Sequence, residues 1–353
     1  MSYNVAVLAG DHIGPEVMAE AIKVLDAVAS AEGFSLNYSK ALIGGAAIDA
    51  TGGPLPQETL ELCRESGAVF LGSVGGPEWD HLPPEKRPEV GGLLATRKAL
   101  ELYANLRPVK LYPQLASGCP LKERTDGKTV DILTVRELTG GVYFGEPKAL
   151  SEEEGLDTMV YRAHEVDRIL EAGFAAAKNR SGRVCSVDKA NVLRSSMLWR
   201  QRAEAMGKAH PEVELSHMYV DNAAMQLILD PSQFDVIVTG NLFGDILSDE
   251  SAALAGSLGM LPSASLGSSV HLFEPSGGSA PDIAGKGVAN PLAQILSGAM
   301  MLEHSFGEVN AAKRIYDAVE KAIADGLRTG DIAGPGEDTV GTVAMGDAVA
   351  ERL

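Results

Sequence analysis

In the middle third of the chain, strand-like apolar runs alternate with helical patterns. This alternation limits the fold classes that the chain can adopt. Strand-like runs at 184–187, 214–220 and 236–239 are separated by helical patterns at 191–207 and 223–229. Strands that alternate with helices build parallel sheets whose faces are covered by helices. We therefore expect an α/β fold whose functional residues follow the carboxyl ends of its strands.

Length and composition indicate a folded protein of two domains. The chain has 353 residues, more than one hydrophobic core usually organises, and 45% of them are hydrophobic. The first residues do not predict a signal peptide, and no apolar run approaches the ~20 residues of a membrane helix. The three cysteines are too widely spaced for a disulfide framework or a metal cluster. We expect a cytoplasmic protein without a membrane partner.

The formal net charge of −18 restricts the possible ligands. A strongly acidic chain repels phosphates, so we expect no nucleic acid partner. It also repels an anionic substrate unless cations are concentrated at the site. Because the guanidinium fork matches a carboxylate, Arg97, Arg107 and Arg136 are the candidates for binding one. Ordinary surface ion pairing is the alternative for each of them.

Segment 241–259, NLFGDILSDESAALAGSLG, places Asp245 and Asp249 four residues apart after an apolar run. On a helix these positions share one face, where two carboxylates repel each other unless a cation lies between them. Oxygen ligands suit Mg²⁺ or Mn²⁺. The alternative is a solvated acidic helix start. Lys189 and Asp221 also follow strand ends, so we expect them to join the same site.

Two side chains are suited to proton transfer. Lys189 beside a divalent cation would have a lowered pKa and would work as a general base, whereas a solvated lysine is the alternative. Tyr143 lies in a glycine-bounded turn and can donate a proton, although packing is the commoner role of such a tyrosine. A glycine-rich loop at 277–290 can bring its backbone close to a phosphate or an adenosine. The chain has no G-x-G-x-x-G fingerprint in a strand–helix context.

The motifs of the chain, taken in order, resemble the isocitrate/isopropylmalate dehydrogenase family of β-decarboxylating dehydrogenases. The match runs nearly end to end, and segment 241–259 is its most specific signature. The other motifs are GDHIGPE, TRKALELYANLRP, VRELTGGVYFG, VDKANVL, MYVDNAAMQL, GSAPDIAGKGVANP and GPGEDT. The resemblance implies two α/β domains that share a large twisted mixed sheet, without a G-x-G-x-x-G Rossmann fold.

The resemblance also implies a role for each candidate residue. The residues expected to bind Mg²⁺ or Mn²⁺ are Asp221, Asp245 and Asp249, and Asp221 is also expected to contact the substrate. The residues expected to bind the malate carboxylates are Arg97, Arg107 and Arg136. Lys189 would take the proton of the substrate hydroxyl, and Tyr143 would protonate the enol left by decarboxylation. In this family Lys189 and Asp221 enter the site of the neighbouring subunit, so a homodimer is expected.

NAD is the cofactor that the resemblance implies. Asp282 would accept hydrogen bonds from the adenosine ribose and would repel a 2′-phosphate, which favours NAD over NADP. Gly277 stands where some relatives have a histidine, and this difference would alter contacts to adenine. The residues expected to bind the cofactor are Gly75, Gly76, Glu89, Gly278, Ser279, Ala280, Pro281, Asp282, Ile283 and Asn290.

Apolar residues near Arg97 favour 3-isopropylmalate as the substrate. Leu93 and Leu94 suit an isopropyl group and would leave a third carboxylate unpaired, with Val192 of the neighbouring subunit completing the pocket. The expected reaction is oxidation and decarboxylation to 4-methyl-2-oxopentanoate in leucine biosynthesis. The alternatives are a D-malate or tartrate dehydrogenase of the same family and, in another class, a non-catalytic regulatory subunit.

The resemblance implies a specific division of the chain. Residues 1–102 and 256–353 are expected to form a first domain that holds both termini and the NAD-binding loops. Residues 103–255 are expected to form a second domain that holds the metal and substrate ligands and the dimer interface.

Overall fold

The computed structural model of this protein describes residues 1–119, Leu121 and 130–353. The chain divides into two compact units. The first comprises Met1–Leu102, Tyr112–Gly118 and Gly256–Leu353, and the second comprises Tyr103–Leu111 and Cys119–Ala255. Both chain termini therefore lie in the first unit.

The described residues form twelve strands. They are β1 (Ser2–Gly10), β2 (Ser35–Lys40), β3 (Ala68–Ser73), β4 (Ala104–Lys110), β5 (Asp131–Glu137), β6 (Ala149–Leu150), β7 (Gly155–Leu156), β8 (Arg183–Asp188), β9 (Glu214–Tyr219), β10 (Val236–Thr239), β11 (Pro262–Leu266) and β12 (Leu272–Pro275).

The same residues form eleven α-helices. They are α1 (Gly14–Glu32), α2 (Gly44–Thr51), α3 (Gln57–Glu65), α4 (Ala95–Ala99), α5 (Ala163–Lys178), α6 (Arg194–Ala209), α7 (Val220–Leu229), α8 (Asn241–Ala252), α9 (Leu292–Phe306), α10 (Val309–Ala324) and α11 (Thr342–Ala350). Short 3₁₀ turns connect several of them.

In the first unit the strands lie in the order β2-β1-β3-β12-β11. All neighbours pair parallel except β11 and β12, which pair antiparallel. Every residue of β3 is buried, as its apolar run AVFLGS requires of a strand covered on both faces. Helix α9 is buried continuously from Leu292 to Leu302 and packs against α1 and α10, so it forms the centre of this unit's core.

In the second unit the order is β4-β5-β10-β8-β9, with only β4 antiparallel to its neighbour. Helix α5 packs against α6 and against strands β5 and β10. The four parallel strands therefore end at one edge, and the segments that follow them start there. Strands β6 and β7 form a separate two-stranded hairpin. The α/β class and the mixed strand pairing predicted from the sequence are confirmed.

Two local elements differ from what their sequence patterns predict. The apolar spacing of residues 93–103 predicts a helix, but the chain forms a wide π-helical turn, Pro88–Leu94, and continues as a regular helix only through α4. The glycine-flanked run 140–145 predicts a turn followed by a strand, but it forms turns in which Gly141 makes a single bridge to Val160. The glycines allow this turn because the ring of Tyr161 occupies the space that a side chain would need: a Cβ on Gly141 would lie 2.5 Å from its hydroxyl.

Among the described residues, no helix combines the length and the apolar character that crossing a membrane requires.

Candidate active site

The candidate residues of the second unit follow the carboxyl ends of its parallel strands. Arg136 is the penultimate residue of β5, and Lys189 follows the last residue of β8. Asp221 lies in the first turn of α7, directly after β9, and Asp245 lies in α8, which follows β10. This placement is the one expected for ligand sites in parallel α/β sheets.

Asp245 joins several of these residues. Its Oδ1 accepts a short hydrogen bond from Nη1 of Arg136 and lies 3.7 Å from Nη1 of Arg107. Its Oδ2 accepts a hydrogen bond of 2.6 Å from the Tyr143 hydroxyl. Asp249, one helical turn later, accepts a 3.0 Å hydrogen bond from Nη1 of Arg107. We name Arg107, Arg136, Tyr143, Asp245 and Asp249 the aspartate–arginine cluster.

Each arginine of the cluster is also held by neutral polar groups that the sequence did not single out. Asn105 accepts from Nε of Arg107 at 2.8 Å, and the Ser248 hydroxyl accepts from its Nη1 at 2.8 Å. Asn241 accepts from Nε of Arg136 at 3.1 Å and from its Nη2 at 2.9 Å.

A sequence signal for two of these partners was present. Asn241, Asp245, Ser248 and Asp249 are spaced i, i+4, i+7 and i+8, which places them on one face of α8. Asn105 gave no such signal. It lies two residues before Arg107 on β4, and any two strand residues with this spacing face the same side of the sheet.

The surroundings of Tyr143 favour its neutral form. Burial and the hydrogen bond to Asp245 raise the pKa of Tyr143 to about 12, although Arg136 and Arg107 oppose the shift. The phenol therefore keeps its proton at neutral pH. In this state it can donate that proton to an acceptor in the site.

Lys189 and Asp221 form a separate ion pair. Lys189 Nζ donates to Asp221 Oδ1 at 2.7 Å, and the Asp221 side chain is 67% exposed. The hydrogen bond from Lys189 lowers the pKa of Asp221. The backbone N–H of Val192 donates to the Lys189 carbonyl. The Val192 residue is 63% exposed.

The three aspartates predicted to bind metal are not brought together within one chain. Among the described residues of this single chain, no group of three His, Cys, Asp or Glu side chains is arranged to hold a metal ion. Asp245 and Asp249 fit a divalent cation by chemistry, since both present carboxylate oxygens that remain partly exposed. Both Asp245 oxygens accept hydrogen bonds in this chain, so a cation there would compete with Arg136 and Tyr143.

In the first unit, Arg97 is buried and donates from Nη2 to Oε1 of Glu274 at 2.6 Å. Its Nε has no hydrogen-bond partner among the described residues. Sequence reasoning missed Glu274, which lies far from Arg97 in the chain and in no recognisable motif. Leu93 and Leu94 are half-buried at the end of the wide π-helical turn.

A pocket of about 430 Å³ lies in the first unit, a volume within the range of small-molecule sites. Four of the predicted cofactor residues line it: Gly278, Ala280, Ile283 and Asn290. Gly277 also lines it, and the remaining wall includes Ile13, Leu258, Val288 and Asp331. An apolar wall with glycine backbone and few polar groups fits the adenosine part of a dinucleotide.

Three further predicted cofactor residues lie together beside this loop. The Gly75 N–H donates to Asp11 at 2.8 Å, and the Gly75 carbonyl accepts from the Ser279 hydroxyl at 2.7 Å. Gly75 has a φ of 105°, and a Cβ there would lie 2.1 Å from Oε1 of Glu89, so the position requires glycine. Asp11 is a buried anchor that sequence reasoning did not name; it also accepts from the N–H of Gly45.

Gly76, Pro281 and Asp282 are not among the described residues that line the pocket. Gly76 adjoins His12, since a Cβ on Gly76 would lie 2.3 Å from the His12 Nε2. Pro281 and Asp282 are exposed to solvent directly after Ala280 in the loop. The Asp282 carboxylate is therefore accessible to a ligand at the surface of the loop.

Comparison with known proteins places the chain in a family. Residues 4–349 match the family model described as isocitrate/isopropylmalate dehydrogenase. The chain is 61% identical over 350 residues to a 3-isopropylmalate dehydrogenase of Thermotoga maritima, covering 99% of each chain. It is 58% identical over 358 residues to a 3-isopropylmalate dehydrogenase of Nitratidesulfovibrio vulgaris, covering 100% of each.

The solved structures agree. The isocitrate dehydrogenase of Methylococcus capsulatus superposes with a TM-score of 0.86 at 36% identity, covering 99% of each chain. A β-decarboxylating dehydrogenase of Thermococcus kodakarensis superposes with a TM-score of 0.81 at 34% identity, covering 99% of this chain and 96% of the other. The strand-end placement of the candidate residues, the full-length match and the shared fold lead to one conclusion: this chain belongs to the isocitrate/isopropylmalate dehydrogenase family.

Proposed function

We propose that this protein is a 3-isopropylmalate dehydrogenase, which oxidises and decarboxylates 3-isopropylmalate to 4-methyl-2-oxopentanoate in leucine biosynthesis. Full-length relatives of that name at 54–61% identity support the substrate. The observation that carries the proposal is the carboxylate of Asp245, which binds Arg107, Arg136 and Tyr143 at once. These contacts support Arg107 and Arg136 as carboxylate ligands, Tyr143 as a proton donor and Asp245 as a metal ligand.

The arginines would bind and orient the substrate. Arg107 and Arg136 are largely buried, so their charges are weakly screened and attract a carboxylate strongly. Arg97, with an unpartnered Nε among the described residues, is the third proposed carboxylate ligand. Leu93 and Leu94 would contact the isopropyl group, because a half-buried apolar surface favours an alkyl group over a third carboxylate.

Proton transfer would rely on Lys189 and Tyr143. Lys189 would take the proton of the substrate hydroxyl, and Tyr143 would return a proton to the enol carbon after carbon dioxide leaves. Bound NAD would supply the acceptor for the hydride of carbon 2, and a bound divalent cation would supply positive charge beside the substrate oxygen. Asp245 and Asp249 would hold that cation together with Asp221, and Mg²⁺ or Mn²⁺ suits such ligands.

NAD is the proposed cofactor. The pocket in the first unit and the loop from Gly278 to Asn290 support adenosine binding there, with Gly75, Gly76 and Glu89 assigned to the same cofactor. The exposed Asp282 would accept from ribose hydroxyls. It would repel the 2′-phosphate of NADP by like charge.

A homodimer is the proposed assembly, with Lys189, Asp221 and Val192 serving the partner's site. The second unit exposes large apolar side chains that water does not favour. Met225, Ile228 and Leu229 are exposed on α7 at spacings of three and four residues, so they share one face. Ile246 on α8 and Leu150 in the β6–β7 hairpin are exposed as well. An exposed apolar helix face such as that of α7 marks an interface.

The two units are the proposed functional domains. Residues 1–102 and 256–353 would carry the NAD-binding loops, and residues 103–255 would carry the metal ligands and the dimer interface. We propose a cytoplasmic location, which the burial of all three cysteine side chains supports.

The test is an assay of purified protein with 3-isopropylmalate and NAD. We expect NADH formation that stops on addition of EDTA and resumes with excess Mg²⁺ or Mn²⁺. Higher kcat/KM on D-malate or tartrate than on 3-isopropylmalate would assign the chain to the alternative dehydrogenase. No activity on any of these acids would contradict the proposal.

A further inference from the structure

Arg136 is held in an unusually closed environment. Only 2% of this large, charged side chain is exposed. Its stem passes directly over Gly244 of α8, where a Cβ would lie 2.7 Å from Cγ of Arg136. A guanidinium in such a position needs fixed partners, because an unpaired buried charge is costly.

Asn241 is the neutral partner of this guanidinium. It is 1% exposed, and its single Oδ1 accepts from both Nε and Nη2 of Arg136. Two bonds to one edge of the guanidinium fix the rotation of its plane. The opposite side, Nη1, then points at Asp245.

Asn241 is itself fixed by two further hydrogen bonds. Its backbone N–H donates to the hydroxyl of the half-buried Tyr161 at 2.7 Å, and its Nδ2 donates to the Gly140 carbonyl at 3.2 Å. The bond to Gly140 decides which end of the amide faces Arg136, since only the oxygen can accept from a guanidinium. The amide orientation is thus set by the turn that carries Tyr143.

We propose that Asn241 is a positioning residue that orients the Arg136 guanidinium for the substrate carboxylate. The inference rests on the proposed function, in which Arg136 binds that carboxylate. A neutral amide suits this role, because it aims the guanidinium without neutralising its charge. A carboxylate at position 241 would form an ion pair with Arg136 and would compete with the substrate.

The first test is independent of catalysis. In ¹H–¹⁵N spectra of the arginine Nε–H groups of the full-length protein, the Arg136 signal is assigned by its loss in Arg136→Lys. We expect this signal to exchange slowly with water in the wild type, and to shift and exchange faster in Asn241→Ala. The matched control is Asn179→Ala, an exposed residue at the end of α5, which should leave the signal unchanged.

The second test measures the effect on substrate binding. Loss of the orienting bonds should raise the KM for 3-isopropylmalate by about tenfold, with kcat and the KM for NAD changed by less than about threefold. If Asn241 acts through Arg136, the same substitution in an Arg136→Lys background should raise that KM by less than about twofold. Asn241→Ser, which keeps a small polar side chain but loses the reach of Oδ1, replaces Asn241→Ala if the latter does not fold.

An unchanged Arg136 signal together with an unchanged KM would overturn the inference. It would also be overturned if the effects of the two substitutions were additive, or if the KM for NAD rose equally, since a general structural role predicts both. A wild type without 3-isopropylmalate-dependent NADH formation contradicts the proposed function instead. In that case the loss of the slow Nε–H signal in Asn241→Ala would still support the orientation of Arg136 by Asn241.

Discussion

The aspartate–arginine cluster and the Lys189–Asp221 pair both lie in the second unit, yet their surroundings differ. Arg107 and Arg136 are buried, and each is bound by carboxylates and by neutral amide or hydroxyl groups. Lys189 and Asp221 bind each other, and Asp221 is largely exposed. The two guanidinium groups of the cluster are thus enclosed by their own chain, whereas the carboxylate of Asp221 lies open on the surface.

This difference shows two ways in which the charged groups of a site are stabilised before a ligand binds. Buried charges need several partners, since each unsatisfied group in a low dielectric costs several kcal/mol, and these partners make the site rigid. An exposed pair contributes little to stability because water and salt screen it. The open pair lies in a unit that also exposes Val192, Met225 and Ile228. Such a pair is suited to being completed by another molecule, which in our proposal is the second subunit.

Lys189→Ala should give the largest effect and should separate activity from stability. Loss of the general base should lower kcat by about 10³-fold or more. Since the pair with Asp221 is exposed, the melting temperature, the dimer and Mg²⁺ binding should be nearly unchanged. Steady-state kinetics, thermal unfolding and equilibrium dialysis with Mg²⁺ measure the three quantities. The control is Lys208→Ala on the exposed surface of α6. Full activity of the Lys189 variant would show that Lys189 is not the general base.

Arg136→Met should show the reverse pattern for stability. Removing a buried guanidinium leaves the Asn241 amide oxygen without its partner, so the free energy of unfolding should fall by about 3 kcal/mol. Urea denaturation measures it. Arg194→Met, at an exposed position in the first turn of α6, should change this free energy by less than about 0.5 kcal/mol. Equal losses in the two variants would mean that the buried cluster stabilises the fold no more than a surface residue does.

Tyr143→Phe tests the proton donor of the cluster. We expect kcat to fall by about 10²-fold while the KM for 3-isopropylmalate changes little. Because the pKa of Tyr143 is raised to about 12, the phenol is protonated below that pH and loses its proton only above it. The wild-type rate should therefore show no loss from Tyr143 ionisation between about pH 6 and pH 10. The control is Tyr38→Phe in the first unit. A kcat of Tyr143→Phe equal to that of the wild type would exclude Tyr143 as the proton donor.

Asp282→Lys should have the smallest effect, because it changes one exposed charge at the cofactor loop. We expect kcat/KM with NAD to fall, kcat/KM with NADP to rise, and their ratio to change by about tenfold. The matched control is Glu58→Lys, which makes the same charge change on exposed helix α3. An unchanged ratio in the Asp282 variant would show that this loop does not bind the adenosine ribose.

Several properties followed from the sequence alone because they are local. The α/β class came from apolar runs that alternate with helical patterns, and the order of motifs indicated the family. Asp245 and Asp249 were predicted to share a helix face from their spacing, and α8 places them so. Period and spacing are properties of neighbouring residues, so they can be read without the fold.

Tertiary structure alone decided which distant groups complete the site. Nothing in the sequence pairs Arg97 with Glu274, which lies far from it in the chain. Nothing local assigns the Asn241 amide to Arg136, or Asp11 to the turn at Gly75. These partners are chosen by where strands and loops meet in the folded chain. Burial then makes the choice strict, because a charge or an N–H removed from water must find its partner within hydrogen-bonding distance.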